Sequence, residues 1–149
     1  MSDDQSQGWL AVASADHVAI GVAGGFAQVC HGRRGPLARM KCGDTIVYYS
    51  AGQKLSEANN LKSFAAIGTI TDDVLTQVTL TSDFSPWRRS VVYEPLLAPI
   101  AIQQLKATLE LTSNRNWGYS LRSGLIPLSP ADTKAIKQAT NLVMSGQID

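Results

Sequence analysis

Four stretches rich in β-branched, aliphatic and aromatic residues follow one another through the middle of the chain, with turn or loop residues between them. They cover residues 45–49, 64–71, 76–81 and 90–93, and such residues favour extended backbone. Gly43-Asp44 precedes the first run, Asp72-Asp73 separates the second from the third, and 82–86 separates the third from the fourth. Residues 51–62 are polar and contain Gly52, Asn59 and Asn60, which reads as a loop. Strands that succeed one another without an intervening helix pair antiparallel. The centre of the chain therefore calls for an α+β domain with a curved antiparallel, barrel-like sheet, and argues against a doubly wound parallel one.

The flanks supply the rest. Residues 9–13 form a further strand candidate. Ser14 suits a helix N-cap, and Ala15, Val18, Ala19 and Val22 recur at helical spacing until Gly24-Gly25 stops the helix. Residues 36–40 read as one more helical turn. Thr76 to Thr81 alternates, with Val78 and Leu80 on one face. Pro95 and Pro99 interrupt the chain, and Ile102, Leu105 and Leu109 share a helical face. Trp117 to Leu121 reads as a strand, whose period of two would set Trp117 and Tyr119 on one face. The last helix is the most clearly marked: Ser129 at N-cap, Pro130 at N1, Asp132 at N3, a buried stripe of Ile136, Ala139, Thr140 and Val143, and Gly146 as the stop. About five or six strands with flanking helices result. Residues 1–7 are expected to be a frayed tail, and 8–146 a single domain.

Composition limits what such a domain does. Of 149 residues, 44% are apolar and 17% charged, and the net charge is +1. A folded chain follows, but a long salt-sensitive nucleic-acid footprint does not. The basic residues are clustered all the same: Arg33, Arg34, Arg39 and Lys41 lie in one acid-free segment, Arg88 and Arg89 are adjacent, and Arg115 and Arg122 flank another. Local phosphate contacts fit this pattern. Cys30 and Cys42 have no metal-ligand spacing and no secretory context, so both are expected to be reduced thiols. The start is acidic and polar rather than signal-like, and no apolar run approaches a membrane span. The expected compartment is the cytoplasm.

No GxSxG, Walker loop or HExxH is present. Two histidines, His17 and His31, have no second metal ligand nearby in sequence, so neither a catalytic set, a metal nor a cofactor is expected. Aromatic side chains beside arginines point instead to a base-stacking surface with phosphate contacts. Tyr48 and Tyr49 are consecutive, so on a one-sided sheet one ring faces the core and the other is free to stack. Gln28 and His31 can bond a base edge.

The run Gly24-Gly25-Phe26-Ala27-Gln28-Val29-Cys30-His31-Gly32 is the most specific stretch. With it go Trp9, His17-Val18, Pro36-Leu37, Gly43-Asp44, Tyr48-Tyr49-Ser50, Ala66-Ile67-Gly68, Arg88-Arg89, Asn116-Trp117-Gly118-Tyr119 and Arg122. Together these resemble the small bacterial EVE-domain proteins, a PUA-like group related to the YTH readers of methylated adenine. Ala51 stands where that family favours proline, and Trp87 where it favours phenylalanine. The resemblance implies a PUA-like curved sheet or pseudo-barrel, and a pocket for a single, chemically modified base of DNA or RNA. Gly25, Phe26, Gln28, His31, Tyr49, Ser50, Trp117 and Tyr119 would then form the base site, and Arg88, Arg89 and Arg122 the phosphate site. A hydrolase acting on a modified nucleoside and a small-anion or protein-interaction module are the alternatives.

Overall fold

The computed structural model describes residues 6–52, 61–94 and 99–145, with side chains as far as Thr140. Most of the expected tail, positions 53–60 of the expected 51–62 loop, the break at Pro95, the Val143 side chain and the stop at Gly146 lie outside the described residues.

The strands are β1 (Gly8–Val12), β2 (Phe26–Ala27), β3 (Thr45–Ser50), β4 (Ser63–Ile70), β5 (Thr76–Gln77), β6 (Trp87–Tyr93), β7 (Ile100–Ala101) and β8 (Leu125–Leu128). They build one curved, unclosed sheet in the order β2-β6-β4-β3-β1-β8, with β5 added to β6 and β7 to β4. The sequence reading lacks β2 and β7, which are only two residues long, and β8, which is four. The central antiparallel ladder β3-β4-β6 is as expected. The sheet is nevertheless mixed, because β1 lies parallel to β3, pairing Gly8 with Thr45 and Val12 with Tyr49. Two parallel strands need a long crossover. Here it consists of α1 (Ala15–Gly24), β2 and α2 (Arg34–Ala38).

Both faces of the sheet are covered. Trp9, Ala11, Ile46 and Tyr48 point into one core with Val18, Leu37 and Met40. Leu10, Val47, Tyr49, Phe64 and Ile67 point into a second, with Ile136 and Ala139 of α4 (Pro130–Ser145). All six residues of β3 are buried. Tyr48 and Tyr49 do face opposite ways, but each face has its own core. A bulge against β4 falls between them and adds local bend.

α1 starts as expected: the Ser14 side chain accepts from the His17 amide, and Gly25, at φ 72°, closes the end by donating to Gly21 and Val22 carbonyls. Its buried face differs. Val18 and Gly21 are inside, whereas Val22 is 41% exposed. A Cβ at Gly21 would stand 2.8 Å from the Phe26 carbonyl oxygen. The helix thus docks through its glycine, and that close approach turns Val22 outward. At α4, the Ser129 hydroxyl accepts the Asp132 amide at 3.1 Å. The Asp132 carboxylate accepts the amides of Glu110 and Leu111 at 2.7 and 2.8 Å, tying the helix start to the preceding turn.

Three sequence readings are corrected. Only Thr76–Gln77 of the 76–81 run joins the sheet, and Leu80 is exposed, because this arm pairs on one side only and has no second layer over it. Around Ile102 the backbone makes a 3-10 turn, Ile102–Gln104, with Ile102 and Leu109 buried. Trp117 to Ser120 is α3, a single helical turn continued by a 3-10 turn over Leu121–Ser123, not a strand. The Asn114 side chain accepts the Asn116 amide at 2.9 Å, and the Asn116 carbonyl accepts the Tyr119 amide. This polar start closes the backbone on itself and overrides the strand propensity of the aromatic residues.

Candidate ligand cleft

The residues of the long specific run do not form an extended strand. After β2, Cys30, His31 and Gly32 take positive φ angles of 50°, 61° and 81°. Non-glycine residues rarely hold this conformation, and such strain collects at functional sites. Gly32 is required here: a Cβ would lie 2.4 Å from Cβ of Pro86. The tight turn leaves His31 exposed and holds the Cys30 thiol 3.4 Å from the Ser123 carbonyl. The opposing turn closes on Gly124, at φ 85°, whose Cβ would come within 2.9 Å of the Cys30 sulfur.

Between these two turns, the start of α1 and the segment after β3 lies a cleft of about 500 Å³. Val12, Ser14, His17, Gln28, Cys30, His31, Arg33, Gly52, Phe84, Arg122 and Gly124 are among its walls. A second recess of about 350 Å³ carries Tyr49, Lys62, Trp117 and Gly118, and shares Val12, Ala51, Leu121 and Arg122 with the first. The two recesses adjoin at these shared residues, and each is of the size that small ligands occupy. Their described walls hold Arg33, Lys62, Arg122 and both histidines, and no aspartate or glutamate.

Gln28 is the most constrained residue of the cleft. The Tyr48 hydroxyl accepts its amide at 3.2 Å and donates to its carbonyl at 3.0 Å. The His17 ring nitrogen Nε2 lies 3.4 Å from the same carbonyl. Its side-chain Oε1 accepts from Nε of Arg88 at 3.0 Å. The Arg88 guanidinium stacks on Phe26, 3.9 Å from the ring centre. Burial raises the Tyr48 phenol well above its ordinary pKa and likewise raises that of Tyr93, whose hydroxyl donates to the Phe26 carbonyl at 2.9 Å. Both phenols therefore stay protonated as fixed hydrogen-bonding groups.

The expected site residues divide into groups. Gln28, His31 and Arg122 line the larger cleft, while Tyr49 and Trp117 meet edge to face at 6.2 Å in the adjoining recess. Phe26 and Arg88 reach the cleft only through Gln28, and Gly25 is a helix cap. Tyr119 is 71% exposed with Arg122 over its ring at 5.2 Å, so Trp117 and Tyr119 do not share a face: on a helical turn their side chains diverge. Ser50 is fully buried, is not on the cleft wall, and its hydroxyl has no partner. Arg89 is only 3% exposed, and its guanidinium donates to the carbonyls of Leu37, Met40 and Asp72 and to the Asp73 carboxylate. It is a structural cross-link, with its donors turned away from any phosphate.

The arginine–aromatic neighbourhoods are partly internal too. Arg34 lies over Trp87 at 5.4 Å and Arg39 over Trp9 at 4.9 Å. Sequence reasoning missed Ser14, His17, Arg33 and Lys62 as cleft residues. His17 and Arg33 flank the run that carried the inference, and that proximity was the available signal.

The model of the EVE domain matches residues 7–139. The chain belongs to the EVE-domain family. A UPF0310 protein of Renibacterium salmoninarum is 41% identical over 131 residues, covering 88% of this chain and 93% of that one. The UPF0310 protein YdcG of Bacillus subtilis is 36% identical, covering 93% and 94%. The fold is shared with the NMR structure of a Rhodopseudomonas palustris protein, TM-score 0.58 at 21% identity, covering 92% of this chain and 94% of that one. It is also shared with the crystal structure of a Pseudomonas syringae protein, TM-score 0.56 at 17% identity, covering 89% and 99%. Among the described residues no group of three potential metal ligands occurs, and no helix is long and apolar enough to cross a membrane.

Proposed function

We propose that this EVE-domain chain, acting through residues 8–146 as one module in the cytoplasm, binds DNA or RNA without catalysis and takes one chemically modified base into the cleft. The observation that carries the reading is the acid-free, basic lining of a depression that also presents aromatic surface. A nucleic-acid strand offers both a flat base and an anionic backbone, and this lining complements the two together. The base enters between Gln28 and His31. Arg122, common to both recesses, sits where the backbone passes, and Trp117 with Tyr49 supplies a stacking edge for the neighbouring nucleotide. Local phosphate contacts of this kind suit a protein with a net charge of +1.

The test is fluorescence anisotropy with short single-stranded oligonucleotides carrying 5-methylcytosine, 5-hydroxymethylcytosine or N6-methyladenine at one position, against unmodified controls. One modified base is expected to bind at least tenfold tighter than its control. Arg122→Glu is expected to weaken all of the oligonucleotides together. Equal millimolar binding of every oligonucleotide overturns the reading.

A further inference from the structure

A glutamine in a pocket can offer either end of its amide, unless a neighbour fixes which. At Gln28 a neighbour does. An arginine Nε–H only donates, so the 3.0 Å contact from Arg88 places the carbonyl end of the amide toward the arginine. The arginine is itself held over the Phe26 ring, and Tyr48 and His17 hold the Gln28 backbone. The NH2 end then points away from Arg88. Gln28 lines the cleft and is only 6% exposed.

We infer that Gln28 is a one-way reader: its Nε2 donates to a hydrogen-bond acceptor, a carbonyl oxygen or unprotonated ring nitrogen, on the base edge in the cleft, and Arg88 is the positioning residue that keeps the amide from flipping. The inference rests on the base-pocket reading above. With the carbonyl end held by Arg88, an acceptor on the ligand facing the other end gains a hydrogen bond that a donor there cannot make. A base presenting an amino or protonated ring nitrogen at that point leaves two donors facing each other. The cleft therefore discriminates by the polarity of one atom, in addition to any selection for a modifying group. Arg88 needs no contact with the nucleic acid to perform this role.

The experiment measures anisotropy with the tightest-binding oligonucleotide of the panel and with deaza or deoxo analogues that remove its base-edge acceptors one at a time. For the wild-type chain, one deletion is expected to weaken binding about tenfold, the scale of one lost hydrogen bond. In Arg88→Ala the amide is free to turn, and that ratio is expected to fall to about two or less. Arg88→Lys, which still donates to Oε1, is expected to restore most of it. Gln28→Glu, which has no donor, is expected to abolish the ratio even with Arg88 present. Circular dichroism and urea unfolding confirm that each variant is folded. A ratio unchanged in Arg88→Ala overturns the positioning role, and the absence of any sensitive acceptor in the wild type overturns the donor assignment while the base-pocket reading stands. Binding too weak to rank any base sinks both.

Discussion

Arg89 offers the sharpest separation of a structural role from a ligand-binding one. Replacement by methionine keeps an apolar stem about as long as arginine's as far as Nε and removes all of its donors. The Leu37 carbonyl retains an amide partner, from Met40. The carbonyls of Met40 and Asp72 lose the guanidinium, and a buried acceptor without a partner is worth about 1–3 kcal/mol. The ion pair adds little, because Asp73 is 72% exposed and such pairs contribute less than about 1 kcal/mol. The expected loss is about 3–5 kcal/mol, a large part of the total stability of a domain this size. It should appear in urea unfolding followed by circular dichroism, and as a melting temperature lower by roughly 10 °C. Asp73→Asn, which keeps the guanidinium on its backbone carbonyls, should change stability by less than about 1 kcal/mol. A variant Arg89→Met that unfolds within about 0.5 kcal/mol of wild type but loses nucleic-acid affinity would refute the reasoning, since only a ligand contact behaves so.

Gly32→Ala should destabilise by about 2–3 kcal/mol in thermal unfolding, because a left-handed backbone and the contact with Pro86 both resist a Cβ. Asp132→Ala strands the amides of Glu110 and Leu111 and should cost about 2–3 kcal/mol, whereas Asp132→Asn, which keeps one acceptor oxygen, should cost less; urea midpoints compare the two. The phenols of Tyr48 and Tyr93 hold their protons above the ordinary value of 10.0, chiefly through burial, while the unfolded chain releases its own near that value. Their contribution to stability is therefore constant below about pH 9 and falls above pH 10, by about 1.4 kcal/mol per pH unit for each phenol. Urea unfolding at pH 8, 10 and 11 checks the sign, and Tyr93→Phe should remove one phenol's share of the slope.

The parts of the fold that the sequence showed are those where local chemistry and tertiary packing agree. Ser14 and Gly25 bound α1, Ser129 caps α4, and the central strands fall in their expected places. The failures occur where a distant contact decides. The buried side of α1 was set by Gly21 against Phe26, and a glycine carries no weight in a hydrophobic stripe. Trp117 and Tyr119 carry strand propensity, yet Asn114 and Asn116 wind them into a turn. The lining of the cleft was legible only in part. Gln28 and His31 line one recess, Tyr49 and Trp117 the adjoining one, and Arg122 both. Arg88 and Arg89 are indistinguishable in sequence, and alternation along β6 sends Arg89 inward to backbone carbonyls while Arg88 lies over Phe26.

The parallel pairing of β1 with β3 also governs when the cleft can exist. β1 is held on its other side by β8, and Gln7 beside it reaches the Leu128 carbonyl across a separation of 121 residues. Val12, on the cleft wall, is fixed through its amide to the Gly124 carbonyl. During synthesis the first strand therefore waits for nearly the whole described chain to emerge before it gains its second neighbour, and loop closure over that distance is slow. The depression is thus completed late in folding, and a ribosome-bound chain that has not yet reached Leu128 lacks the β8 strand that holds β1 and the cleft wall at Val12.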